Sequence, residues 1–133
     1  MRLHIEAHAN QDQPIAFDLV AVRNKALALQ LLKMTAAQWF EQREQLYGDY
    51  PGRDELEIRS WEWVPGQQVG ELPVRLTMRP TNTFVFAKYA LGGENRARIY
   101  PRQPVTIVLG EKKMTVTGFA DAFVPGKLSA LKN

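Results

Sequence analysis

The chain has no cysteine among its 133 residues, which excludes disulfides, thiolate nucleophiles and zinc–thiolate sites in this sequence. Histidine is nearly as scarce: His4 and His8 are the two present. Serine is confined to Ser60 and Ser129, with no nucleophile elbow around either, so a hydroxyl activated by an imidazole has no motif to rest on. No apolar run approaches the roughly 18 residues of a membrane helix, and the N-terminus lacks the apolar centre of a signal peptide; the chain as given reads as soluble. Gly92 and Gly93 before Glu94 and Asn95 form a turn pattern without the strand-to-helix setting of a phosphate cradle. Strong charge of one sign is also missing. The formal net charge is +3, and the excess lies in the last third, where Arg96, Arg98, Arg102, Lys112, Lys113, Lys127 and Lys132 face only Glu94, Glu111 and Asp121. Nucleic-acid affinity needs cations clustered on one face with stacking aromatics between them, so the expectation is a solvated basic surface with weak anionic attraction and no nucleic-acid partner.

A hydrophobic content of 45% is enough for one core without metal or disulfide support, and no linker or repeat divides residues 1–133. The clearest local signal is the capping box Thr35, Ala36, Ala37, Gln38: the Thr35 hydroxyl accepts from the Gln38 N–H while the Gln38 side chain reaches back. From that cap, Ala36, Trp39, Phe40, Leu46 and Tyr47 share one face, with Glu41, Gln42, Glu44 and Gln45 opposite, and Gly48 is the expected left-handed closing residue. Asn24 is a candidate cap for a shorter helix through Lys33, although Leu27, Leu29 and Leu31 also alternate like a strand. Together these place a helical insertion over residues 24–48.

Elsewhere the chain reads as short strands. Leu3, Ile5 and Ala7 alternate with His4, Glu6 and His8 over Arg2 to Ala9, the period of a half-buried strand. Ile15 to Val22 is dense enough for burial on both faces, and the two runs are expected to pair antiparallel across the loop Asn10, Gln11, Asp12, Gln13, which Pro14 ends. In the next run Leu56 and Ile58 occupy even positions but Trp61 and Trp63 odd ones, so a bulge near Ser60 is expected. Further strands are expected at Leu72 to Arg79, Thr83 to Tyr89, Arg98 to Tyr100, Val105 to Leu109 and Lys113 to Phe119, with a hairpin turn at Gly110, Glu111, Lys112. Short strands at regular spacing, with no βα alternation, predict an antiparallel sandwich or barrel. A loose tail is expected over 125–133.

Three constellations bear on chemistry. His4, Glu6 and His8 would share one strand face, but neighbours two apart sit roughly 6.5 to 7 Å from each other, too far for the two imidazoles to share one metal ion, so a plain polar face is expected. Glu55, Glu57 and Glu62 alternate with apolar residues as a solvated strand face does. Tyr50, Trp61 and Trp63 would form an aromatic platform for a carbohydrate or peptide if they point outward; inward, they are core beneath Trp39 and Phe40.

The order of these features, with RLHIEAHA in strand one, PIAFDLVAV opening strand two, AAQWFEQR in the helix and a strand closing on WVPGQ, resembles the TssJ (SciN) family, the outer-membrane lipoproteins of type VI secretion systems. The likeness runs over about residues 2 to 120. What it implies is a mainly β, transthyretin-like antiparallel sandwich of seven or eight strands with a small helical insertion between early strands. It implies no enzymatic activity, no cofactor and no small-molecule substrate. It further implies that the protein holds the periplasmic domain of the inner-membrane protein TssM, with the contact loop falling on Asn10, Gln11, Asp12 and Gln13. That loop is shorter than in many family members. The implied outer-membrane anchor, an acylated cysteine, would lie ahead of Met1 in the natural full-length form, in the periplasm. The competing reading is a ligand-binding sandwich that uses Tyr50, Trp61 and Trp63.

Overall fold

A computed structural model describes residues 1–52, 54–100 and 102–122; the expected tail at 125–133 lies outside them. Ile15–Val22 (β2) forms the central axis because its apolar residues need cover on both faces. It pairs antiparallel with Leu56–Trp63 (β3) on one side and Asn82–Lys88 (β5) on the other, and the sheet continues through Arg96–Ile99 (β6) to Ala120–Ala122 (β9). A second sheet has the order β4-β1-β7-β8, built from Arg2–Ile5 (β1), Gly70–Glu71 (β4), Val105–Leu109 (β7) and Met114–Gly118 (β8). Between the sheets lie Leu3, Ile5, Phe17, Leu19, Val85 and Ile107 with their neighbours. On the outer face of the five-stranded sheet, Lys25–Leu32 (α1) and Ala36–Asp49 (α2) bury Leu27, Leu31, Trp39 and Leu46 against Val20, Val22, Phe84 and Phe86. The molecule is a mainly β sandwich with a helical third layer.

The described strands number nine, more than the seven or eight expected, because two short pairings, β4 and β9, carry no sequence periodicity. β1 and β2 do not pair. They enter opposite sheets, and β1 runs parallel to β7, with Arg2 opposite Thr106 and Ile5 opposite Leu109, so the sandwich is not wholly antiparallel. β1 ends at Ile5, and Ala7 is exposed, because the chain turns there to cross between sheets. β3 has no bulge: its register on β2 is continuous from Val22 opposite Leu56 to Ile15 opposite Trp63. The switch of apolar parity reflects two covered faces, Leu56 and Ile58 packing under the helices and Trp61 and Trp63 on the inter-sheet core.

Both helices start where their caps predict. Asn24 Oδ1 accepts from the Leu27 N–H at 2.9 Å, which makes the Leu27–Leu31 segment helical. Thr35 Oγ1 accepts from the Gln38 N–H at 3.2 Å, and Gln38 Oε1 accepts from the Thr35 N–H at 2.9 Å. α2 runs past Gly48 to Asp49, and the Tyr50 N–H closes the last turn on the Leu46 carbonyl, so Gly48 is not the closing residue. Trp39 is fully buried and stacks on Phe86 at 5.2 Å. Its indole N–H donates to the buried Asp18 carboxylate at 2.9 Å, which also pairs with Arg43. Phe40 is half-buried beneath the Arg43 guanidinium, and Tyr47 is exposed.

The expected strand at 72–79 is not one, despite alternating burial of Leu72, Val74 and Leu76. These side chains pack against the inter-sheet core, while the Thr77 and Met78 N–H groups bond a carboxylate instead of a ladder. Glu57, expected on a wet face, is buried and accepts from Thr77 Oγ1 at 2.8 Å, the Thr77 N–H at 3.0 Å and the Met78 N–H at 3.3 Å, with Arg59 also donating to it.

Candidate functional site

The strand directions collect four connections at one end of the sandwich: the β1–β2 loop, the turn after β3, the β5–β6 loop and the β7–β8 hairpin. They are tied into one body by backbone and asparagine hydrogen bonds. The Glu6 carbonyl accepts from Ala9 and Gly66 N–H groups, and the Glu6 N–H extends the β7 ladder onto Leu109. The hairpin closes with the Gly110 N–H donating to the Lys113 carbonyl at 3.0 Å, as its sequence predicts. Tyr89 donates its hydroxyl proton to the Gly110 carbonyl at 2.9 Å.

Two buried asparagines hold this end together. Asn10 donates its backbone N–H to Gly110 at 3.2 Å and its Nδ2 to the Pro14 carbonyl at 2.9 Å, while its Oδ1 accepts from the Ala90 N–H at 2.9 Å. One residue therefore fastens the first loop to both sheets, its side chain reaching the end of β5 at Ala90 and its backbone the end of β7 at Gly110. Asn95 acts likewise in the β5–β6 loop, accepting from the Met114 N–H and donating to the Gly92 carbonyl. A polar group buried this deeply is stable only when it is bonded, and both are.

The first loop is strained as well as pinned. Asn10, Gln11 and Asp12 have φ values of 50°, 53° and 67°, three consecutive left-handed residues without a glycine. Each such residue costs on the order of 1 kcal/mol or more, least for Asn and Asp, whose side chains bond locally. The result projects Gln11, Asp12 and Gln13 into solvent while Asn10 stays buried. His8, off the strand and so not aligned with His4, sets its Nδ1 2.9 Å from Asp12 Oδ1; that hydrogen bond and the Asp12 charge raise the imidazole pKa above its ordinary 6.5. Of the four loop residues singled out in the sequence, the structure brings three to the surface together and makes the fourth their anchor. The role of Asn10 was legible only as a tolerance: Asn before a Pro-terminated polar loop accepts left-handed backbone. Asn95, at φ 40° after two glycines, gave the same faint signal.

The other constellations do not assemble. Among the described residues no group of three or more His, Asp or Glu side chains is placed to hold a metal. Trp61 and Trp63 stack at 6.1 Å on the inter-sheet side, with Phe17 against Trp61. Tyr50 packs with the helices on the opposite face, so the three aromatics form no common platform.

No family model matches the chain, and no curated protein matches it by sequence. Its three-dimensional arrangement does have a counterpart in the crystal structure of the T6SS lipoprotein TssJ1 from Pseudomonas aeruginosa, at a TM-score of 0.58 and 16% identity over 87% of this chain and 91% of that one. The chain therefore has the TssJ1 fold, as the resemblance in its sequence implies.

Proposed function

We propose that the chain is a non-enzymatic, TssJ-like adaptor of a type VI secretion system, one domain that holds the periplasmic domain of a TssM protein and is tethered to the outer membrane from a point ahead of Met1. The observation that carries this reading is the turn at Asn10–Asp12, backbone held in a high-energy conformation and fastened to two sheets so that three polar side chains are presented outward. Strain of this kind persists where surrounding structure over-determines it, and it concentrates at binding and catalytic positions. The fold shared with TssJ1 supports the same assignment. A preformed turn loses little freedom on association, so a small contact set by Gln11, Asp12 and Gln13 can be specific without a large area.

The test is capture of a TssM periplasmic domain by the intact chain and by a variant with Gln11, Asp12 and Gln13 replaced by Gly-Ser-Gly while Asn10 is kept. Binding by the intact chain and a loss of at least about tenfold in the variant, roughly 1.4 kcal/mol, is expected. Unchanged binding in the variant would move the contact to another loop; no binding by the intact chain would remove the adaptor reading.

A further inference from the structure

The end of the sandwich opposite the strained loop holds a feature that the adaptor role leaves unused. An open cleft of about 1170 Å³ is lined by Arg23, Lys25, Arg75, Arg79, Arg98 and Arg102, with no carboxylate among its lining residues. These cations come from the β2–α1 junction, the 72–80 segment, β6 and the connection into β7, distant in sequence and gathered by the fold. Arg98 is committed: it pairs with Asp121 and donates to the Tyr100 hydroxyl. The other five have no ion-pair partner among the described residues, and Arg23, Lys25, Arg75, Arg79 and Arg102 are exposed. Cations lining a concave wall reinforce one another and focus a positive potential outward.

Beside the cleft stand two large exposed aromatics. Tyr100 donates its N–H to the Phe119 carbonyl at 3.2 Å, and Phe119 is 54% exposed. Rings with this exposure flanking clustered Arg and Lys make the pairing that settles at a lipid–water interface, aromatic at the headgroup level and cations on the phosphates. β1 begins at this same end, Arg2 lying opposite Thr106 near the start of β7 and opposite Glu71 of β4.

We infer that this basic, aromatic-rimmed end docks onto an anionic phospholipid surface, seating the sandwich on the membrane with the strained loop directed away from it. The inference rests on the adaptor reading in one respect: a tether ahead of Met1 brings this end to the bilayer. An acidic protein segment is disfavoured as the occupant because the cations spread over an open wall flanked by apolar rings.

The test uses the untethered chain and vesicles of phosphatidylcholine with or without phosphatidylglycerol, in co-sedimentation. Binding only to the anionic vesicles is expected, abolished at about 1 M salt, where screening falls to roughly 3 Å. Because each cation near such a surface multiplies partitioning roughly fivefold, Arg75→Glu, Arg79→Glu and Arg102→Glu together lower it by more than about tenfold. Arg-to-Gln changes at the same positions give a smaller drop, and Phe119→Ser a further one. Lys112→Glu with Lys113→Glu, at the loop end, leaves it unchanged. Equal binding to neutral vesicles, equal loss in the Lys112 and Lys113 variant, or release by inorganic phosphate at constant ionic strength would overturn the inference, the last indicating a discrete phosphate site. Capture by polyglutamate without vesicle binding would overturn it in favour of an acidic protein. TssM capture is measured on the same variants, so failure on vesicles with capture intact removes the lipid inference alone, and the reverse result removes the partner reading alone.

Discussion

Asp18 illustrates how a single polar residue organises this fold. It sits in the middle of an otherwise apolar strand, fully buried, with one oxygen shared by the Trp39 indole and the Arg43 guanidinium. Asp18→Ala leaves the indole N–H without its acceptor, and Arg43, partly exposed, turns to water; the expected loss is about 3 kcal/mol, at the low end for breaking a buried pair, read as a lower urea midpoint at constant m. The strained loop gives a second test with opposite signs. Asn10→Ala removes bonds to Pro14 and Ala90 and destabilises by about 2 kcal/mol. Gln11→Gly relieves a left-handed residue without a bonded side chain and stabilises by up to about 1 kcal/mol, while weakening TssM capture if the Gln11 amide makes the contact. At this scale the sequence was a partial guide. The exposed Gln11, Asp12 and Gln13 were legible as a polar loop, but the buried roles of Asn10, Asp18 and Glu57 depend on partners up to 80 residues away, which no local pattern encodes.

Elements were more legible where their signal is local. The Thr35 capping box formed as read, and Thr35→Ala is expected to cost about 1 kcal/mol, with hydrogen exchange accelerating first at the α2 amides nearest the cap. Strand β2 was recognisable because burial on both faces makes a continuous apolar run. The same physics misled the reading of β3, where two covered faces imitate the parity switch of a bulge. Pairing of β1 with β7 was hidden because about a hundred residues separate them. The 72–80 segment alternates like a strand, yet its Thr77 and Met78 amides belong to Glu57. Burial alone would raise the Glu57 pKa, but hydrogen bonds from Thr77 and Met78 and the Arg59 charge outweigh it and hold the carboxyl below its ordinary 4.5. A group with a depressed folded-state pKa contributes stability above its unfolded value and loses it as pH falls through the folded one. Acidification below 4.5 is thus expected to release the Thr77 and Met78 amides to faster exchange, corrected for the intrinsic rate. Glu57→Gln should flatten that acid dependence; an unchanged pH profile in the variant would dissociate the segment from Glu57.

At the scale of the whole molecule the length of the strands separates the two proposed contact surfaces. β2 has eight residues, which at about 3.3 Å each spans roughly 26 Å, placing the Asn10 turn and the Arg75 cleft at opposite ends. Sites this far apart, sharing no side chain, are expected to act additively. Combining the Gly-Ser-Gly loop replacement with the Arg75, Arg79 and Arg102 reversals should therefore lower TssM capture by the loop variant's factor alone and vesicle partitioning by the cleft variant's factor alone, each within about twofold of the single sets. The helical layer provides the control, because Trp39 and Phe86 stiffen the face between the ends. If Trp39→Leu, which loosens that layer, couples the two readouts so that loop replacement then weakens vesicle binding, the ends communicate through the five-stranded sheet and the molecule is not a rigid spacer. Retained independence in that background would identify the β core as the spacer, with the capped helices serving to keep its outer face dry.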